Sequence, residues 1–407
     1  MRILFTNTGP WGTGSFSAIE SISKKLKQED QQVKIFFPDN GFAAENKDKY
    51  YKNPEDYAIW EFPIQKDDIK IPYFPLMLPG MHPRTNDQFY TLKNFSEQEL
   101  ETYLKLLEIK LSELVSSYKP DIIESQHIWA FGYALAKLKQ DYILCAHNSD
   151  QIAFTYDTRM QEKAIYAAKN AKLIFAVSEN TKNLVLDLYG IESKKIIVLP
   201  NSHDEEKFKI INIERNKILK SLHLDIPLDA KIVCFAGLKT RIKGIDILLR
   251  ANRLLNPEDN IHFILFGSGD INSVLEPSEI NDACFDRVHN LGYQVPETLA
   301  QVYNIIDMFV LPSRSECGVP ISILEAMATG LPVVCADGYG ADTVAVGEIF
   351  KNGDPVSLAQ AITKIIKLPK LDYQLLKKQA LSKAKEYSKQ KTLKARLHYY
   401  NLLLNTK

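Results

Sequence analysis

No Asp-x-Asp triplet occurs anywhere in this 407-residue chain, and no two cysteines stand in C-x-x-C spacing. The first absence removes a familiar carboxylate pair for a divalent metal. The second removes the usual zinc and dithiol motifs. The five cysteines (Cys145, Cys234, Cys284, Cys317, Cys335) are scattered and odd in number, so they read as free thiols of a reducing compartment rather than as a disulfide framework. There is no run of about 18 apolar residues to span a membrane. "MRILFTN" is too short for a leader's apolar segment and reads as a first strand, so the expected location is cytoplasmic. Charge of one sign is lacking too. Lys+Arg and Asp+Glu are both 50, which removes the electrostatic argument for a nucleic-acid binder.

What is present is β/α alternation over a length that favours two domains. In the first half "RILFTN", "VKIFFP", "DIIESQ", "YILCAH", "LIFAVS" and "KIIVLP" read as buried parallel strands, and in the second half "KIVCFAG", "HFILFGSG", "RVHNLGY", "MFVLPS" and "PVVCAD". Between them lie helical patterns. The clearest is Ser96–Tyr118, with leucines at three- and four-residue steps and Ser96/Glu99 as a capping box. Further helices are expected at Asp246–Leu255, Pro296–Ile306 and Ile321–Thr329. The pattern predicts an α/β fold of two Rossmann-like, doubly wound parallel-sheet domains facing a central cleft.

Residues 1–203 form the expected first domain and 204–386 the expected second. The turn "LPNSHDEEKF" lies at the join, and His203 there reads as a turn residue. An insert at about 39–94, rich in proline and aromatics, shows no period and reads as an irregular functional loop. Residues 387–407 read as a basic amphipathic helix packing back on the first domain, with weak peripheral membrane contact as the second reading.

The chemistry concentrates in "PSRSECGVPISILEAMATGLPVV". A helix beginning after Pro320 leaves the amides of Ile321, Ser322 and Ile323 unpaired, which suits an anion. Glu325 follows within the first turn or so, where a carboxylate can accept from two vicinal hydroxyls, as acidic residues do with a ribose. Glu316, before the turn, is placed to meet a second polyol. A diphosphate with a sugar on each side fits that layout. The plain alternative is a solvated loop acid followed by an acid favoured by the helix dipole.

Other stretches favour the ligand reading. "FAGLKTRIKGIDILLRA", "ILFGSG", "VHNLGYQVPETLAQVYNIIDMFVLPSRSE" and "EAMATGLPVV" resemble, in order, the motifs of the retaining glycosyltransferases of family four, whose fold is termed GT-B. "DIIESQH", "LIFAVSENTKNLV" and "VLPNSHDEEKF" resemble that family's N-terminal half. The resemblance spans nearly the whole chain. It implies that Glu325 grips the donor ribose, that Glu316 lies near the transferred sugar, and that Lys243 neutralises the leaving diphosphate. His127 would lie beside the sugar and acceptor, and Gly12 and Gly14 would form a glycine loop closing on the donor. Donor contacts are also expected from Gly237, Gly267, Ile321 and Ser322.

Two departures stand out. The two glutamates are nine apart rather than the family's eight, so either Glu316 or Cys317 takes the first position. Leu238 replaces a common arginine, so Lys239 or Arg241 must reach the phosphates. His147 and, in the insert, Arg84 are acceptor-side candidates.

The implied activity is retaining transfer of a hexose or N-acetylhexosamine from a UDP- or GDP-sugar to a hydroxyl of a saccharide, a lipid-linked saccharide or a protein. No obligatory cofactor or metal is expected, nor any nucleic-acid partner, and the chain would be a monomer or homodimer. The alternative is a nucleotide-sugar-binding protein of the same fold with impaired or lost transfer. A Rossmann dehydrogenase is disfavoured because "GPWGTGS" is G-x-x-G-x-G rather than G-x-G-x-x-G. A phosphorylase-like activity would normally need a much longer chain.

Overall fold

The computed structural model describes residues 1–41, 44–79, 90–280, 285–316, 318–338 and 340–405. Its contacts divide the chain into two units, Met1–Pro200 with Leu393–Lys407, and Asn201–Thr392.

The first unit contains β1 (Arg2–Thr6), β2 (Gln32–Asp39), β3 (Tyr57–Glu61), β4 (Ile64–Lys66), β5 (Ile69–Ile71), β6 (Ile122–Gln126), β7 (Ile143–Ala146), β8 (Leu173–Ala176) and β9 (Ile196–Val198). Seven of these form one parallel sheet in the order β3-β2-β1-β6-β7-β8-β9, while β4 and β5 make a separate antiparallel ribbon. Alternate residues of each strand feed opposite faces. Leu4 joins a core with Trp60, Leu107 and Leu144, whereas Ile3 and Phe5 join one with Phe37, Cys145 and Phe175. Parallel strands covered on both faces must be apolar throughout, which is why these runs show no alternation in the sequence.

The second unit contains β10 (Lys231–Ala236), β11 (Ile261–Phe266), β12 (Val288–Asn290), β13 (Met308–Leu311), β14 (Val333–Ala336) and β15 (Gly347–Phe350). They form a six-stranded parallel sheet in the order β12-β11-β10-β13-β14-β15. Each sheet reverses its winding direction once, between β1 and β6 in the first and between β10 and β13 in the second. Open α/β sheets bind ligands outside the carboxyl ends of the strands at such a reversal.

One expectation is corrected. The insert at 39–94 is not irregular throughout. Tyr57–Glu61 pairs in register with β2 and extends the sheet, with Trp60 buried against Phe62 and Tyr103. Among the described residues Tyr50, Trp60, Phe62 and Phe74 of the insert are core residues, and the prolines between short elements hide any period. The division after Pro200 falls inside the expected turn. The turn that follows is tied to the start of the last helix, Lys389–Asn405. His203 N–H donates to Tyr387 O at 3.1 Å and Lys389 N–H to His203 O at 3.0 Å. Glu205 accepts from the amides of Lys389 and Gln390 at 2.9 and 3.0 Å. From Leu393 onward that helix belongs to the first unit, with Leu393 and Tyr400 buried in its core. Among the described residues no helix is long and apolar enough to cross a membrane.

Candidate active site

In the second unit the loops after β10 and β13 are pinned to one another. Asp246, almost fully buried in the helix Ile245–Asn252, accepts a fork from Arg314, Nη1 to Oδ1 at 2.6 Å and Nη2 to Oδ2 at 2.7 Å. Such bidentate pairs fix orientation as well as distance. Arg314 N–H also donates to Ile242 O at 2.8 Å. Gly244 sits between the loops at φ +72°, where a Cβ would come within 1.8 Å of Pro312 O. That closeness lets Lys243 Nζ reach Glu316 Oε1 at 2.7 Å. Gly267 is used similarly, since a Cβ there would lie 1.9 Å from Gly237 O.

The loop after β13 leads into the helix Ile321–Ala328, whose N-cap is Pro320 and carries no side-chain cap. Among the described residues no protein group accepts from the amides of Ile321, Ser322 or Ile323. Glu325, half-buried on this helix, likewise makes no hydrogen bond or ion pair there. Burial pushes its carboxyl up to about 8, with Lys207 and Lys389 opposing and Asp204 reinforcing the shift. A carboxylate raised by desolvation and left without a partner is a candidate functional group.

Two expected phosphate cations are engaged elsewhere. Lys239 is buried, and its ammonium donates to Asn290 Oδ1 at 2.7 Å and Leu291 O at 2.9 Å. Arg241 pairs with Glu276 at 2.7 Å and donates to Val274 O at 2.8 Å. Leu238, which takes the place of the family's arginine, is exposed. The amides of Gly237 and Gly267 donate to Phe266 O and Gly292 O, so these glycines serve loop packing rather than offering N–H groups.

In the first unit the loop after β1 is held by Asn7, which donates to Gly9 O at 2.8 Å, and by Thr13, which donates to Pro10 O at 2.9 Å. Gly12 has φ +82°, and a Cβ at Gly12 or Gly14 would meet nothing within 4 Å. His127 follows β6 with φ +70°, and its Nδ1 lies 2.7 Å from Thr8 Oγ1. Burial lowers its pKa to about 4. His147, after β7, has its ring 4.9 Å from that of His127 and its Nε2 2.8 Å from Gln126 Oε1. Burial and the neighbouring His127 lower it to about 3. Both imidazoles are therefore neutral near pH 7. Arg84 and Cys317 lie outside the described residues.

Residues 13–207 match the model described as Glycosyltransferase Family 4, and residues 229–367 match that described as Glycosyl transferases group 1. The chain is a family 4 type glycosyltransferase. An uncharacterized glycosyltransferase of Methanocaldococcus jannaschii is 27% identical, over 70% of this chain and 74% of its own length. The putative teichuronic acid biosynthesis glycosyltransferase TuaC of Bacillus subtilis is 29% identical over 60% and 61% of the two chains. A D-inositol 3-phosphate glycosyltransferase of Corynebacterium kroppenstedtii is 30% identical over 48% of this chain and 46% of its own. Among solved structures, a glycosyltransferase from Rickettsia africae superimposes with TM-score 0.71 at 17% identity, covering 100% of this chain and 99% of its own. Anabaena HepE in complex with UDP-glucose does so at 0.68 and 16%, covering 100% of both. At such identities the structures establish the GT-B fold alone.

Within this glycosyltransferase, Lys243 and Glu316 are brought together, and Glu325 shares a helix start with the free amides of Ile321 and Ser322. His127 and His147 are neighbours in the other unit. Sequence reasoning missed Asp246, Arg314 and Asn290, which hold the loops after β10 and β13 in shape. It also missed Asn201, which donates to Val319 O at 3.0 Å just before the same helix. Asp246 carried a faint signal, as an acid among the apolar residues of "GIDILL". Asn290 carried none, because its partner is fifty-one positions away.

Proposed function

We propose that this glycosyltransferase moves a hexose or N-acetylhexosamine from a nucleotide-diphosphate sugar to a hydroxyl acceptor, retaining the anomeric configuration and needing no metal. One observation carries the donor reading: a half-buried Glu325 with no protein partner, on a helix whose first three amides are also free among the described residues. In this reading the ribose diol donates to Glu325, and the diphosphate lies on the amides of Ile321–Ile323 and on Lys243. When the sugar C1–O bond breaks, the electron pair goes to the diphosphate oxygen. Lys243 and the helix start stabilise that charge, which is commonly the largest catalytic contribution. The acceptor hydroxyl attacks C1 from the leaving-group face and its proton passes to a phosphate oxygen. Glu316 exchanges Lys243 for a hydroxyl of the transferred sugar, and the first unit, with His127 and His147, receives the acceptor.

A thermal-shift panel of UDP, GDP, ADP and their sugars tests the donor reading. At a hundred times its dissociation constant a true donor adds about 2.7 kcal/mol of stability. No shift with any member refutes it. The second reading, a nucleotide-sugar binder without turnover, draws on exposed Leu238 and on the engagement of Lys239 and Arg241 elsewhere. Glu316→Ala separates the two: an enzyme loses transfer while keeping donor binding, and a binder has no transfer to lose.

A further inference from the structure

Behind the paired histidines of the first unit runs a buried chain of polar groups that the transfer mechanism does not use. Glu124 sits fully buried on β6. Its Oε1 accepts from Arg396 Nη1 and, at 2.9 Å, from Gln126 Nε2, and its Oε2 accepts from Tyr400 OH at 2.6 Å. Arg396 and Tyr400 come from the last helix and are themselves buried. The same Gln126 presents Oε1 to His147 Nε2 at 2.8 Å.

Donor and acceptor inventory decides the orientation of each group. A carboxylate paired with arginine has only lone pairs to offer, so Gln126 must turn its NH2 toward Glu124. Its carbonyl then faces His147, and a carbonyl can only accept. His147 Nε2 must therefore carry the proton, and its Nδ1 is a bare lone pair. No described protein group donates to that Nδ1. A buried Arg–Glu pair gives weak net stability for its desolvation cost, but it is well suited to fixing one arrangement.

We propose that Glu124, Gln126, Arg396 and Tyr400 are positioning residues that lock His147 as its Nε2–H tautomer, so that Nδ1 accepts a hydrogen bond from the acceptor hydroxyl. This rests on the reading that the first unit receives the acceptor. The role is orientation and not deprotonation: an imidazole whose pKa burial has lowered to about 3 is too weak a base to remove a hydroxyl proton at neutral pH. The last helix, remote in sequence, thereby sets the acceptor preference of a side chain some 250 positions earlier.

The test is a long-range proton–nitrogen correlation spectrum of the full chain carrying 15N-histidine, its eight histidines resolved with His147→Asn as the assignment control. In the wild type His147 is expected as the Nε2–H form with an unprotonated Nδ1. Gln126→Leu is expected to give a mixture of tautomers. Gln126→Glu places a carboxylate on Nε2 and is expected to convert His147 toward the doubly protonated ring. Donor affinity, measured with whichever nucleotide sugar of the panel binds, is expected to stay within about twofold in both variants, since Gln126 is not among the groups assigned to the donor. A wild-type Nδ1–H signal, or a Gln126→Leu spectrum identical to wild type, overturns the proposal. The wild-type spectrum decides the tautomer even if a variant misfolds. Failure of the donor reading would appear separately, as silence in the thermal-shift panel.

Discussion

Lys243 Nζ lies 2.7 Å from Glu316 Oε1, joining the loops after β10 and β13 across seventy-three residues of sequence. Glu316 is well buried and Lys243 about a third exposed, so the pair is shielded from solvent on one side only. Without ligand the carboxylate holds the ammonium in place. On the proposed reading, a bound diphosphate gives the ammonium a more highly charged partner.

Lys243→Met removes that countercharge while keeping the length of the side chain. Loss of one preorganised donor to a developing oxyanion costs about 10²–10³ in kcat. Steady-state kinetics should show a loss of this size, with Lys243→Arg retaining more activity than Lys243→Met. Equal kcat in the methionine variant would mean that Lys243 does not touch the leaving group.

Gly244→Ala should unfold the second unit more readily. The residue has φ +72° and the new methyl would meet Pro312 O at 1.8 Å. Backbone strain and overpacking together cost about 3 kcal/mol or more. Gly12→Ala, with similar φ but no neighbour within 4 Å, should cost only about 1–2 kcal/mol. Denaturant titrations of the two variants give the comparison directly.

His262 and His289, on adjacent strands, stack with Nδ1 and Nε2 3.0 Å apart. Burial, then His289 and Arg287, lower His262 to about 4, with nearby Asp286 opposing. A histidine depressed in the folded state contributes stability that is complete above the unfolded pKa of about 6.5 and is lost as pH falls toward the folded value. The wild type should therefore lose on the order of 2 kcal/mol more than His262→Gln between pH 7 and pH 4, after any common change is subtracted. Parallel pH profiles for the two proteins would contradict this.

Metal removal is expected to leave transfer intact. Among the described residues no group of three metal-ligating side chains is assembled, and the proposed charge stabilisation runs through Lys243 and backbone amides. Activity after exhaustive treatment with a chelator should equal that of untreated enzyme. A loss restored by Mg²⁺ or Mn²⁺ would contradict the metal-independent reading.

Much of the scaffold was legible because its signals are local. Ser96 and Glu99 form the expected capping box, Ser96 N–H donating to Glu99 Oε2 at 2.8 Å, and the helix runs Glu97–Tyr118. The free helix start after Pro320 follows from proline's fixed geometry and its lack of a capping side chain. What stayed hidden depends on distant partners. Lys239 reads as a phosphate ligand until Asn290 and Leu291 are seen to hold it. Trp60 reads as part of an irregular insert until β2 is seen beside β3. Glu124 and Arg396, far apart in the chain, give no sign in sequence of being one ion pair.

The most direct measurement is calorimetric titration of a nucleotide sugar, whose diphosphate has no proton to lose near neutrality, into the wild type and Glu325→Gln between pH 6 and pH 8.5. Because the free carboxyl titrates at about 8 and ribose hydroxyls favour its ionised form, wild-type binding should release protons and tighten as pH rises, by at most about tenfold per unit. Loss of hydrogen bonds to a charged group, about 1.5–3 kcal/mol, should make Glu325→Gln bind roughly ten- to a hundredfold more weakly, with a flat pH profile. Equal affinity in the two proteins, or wild-type affinity that falls as pH rises, would contradict the assignment of Glu325 to the ribose.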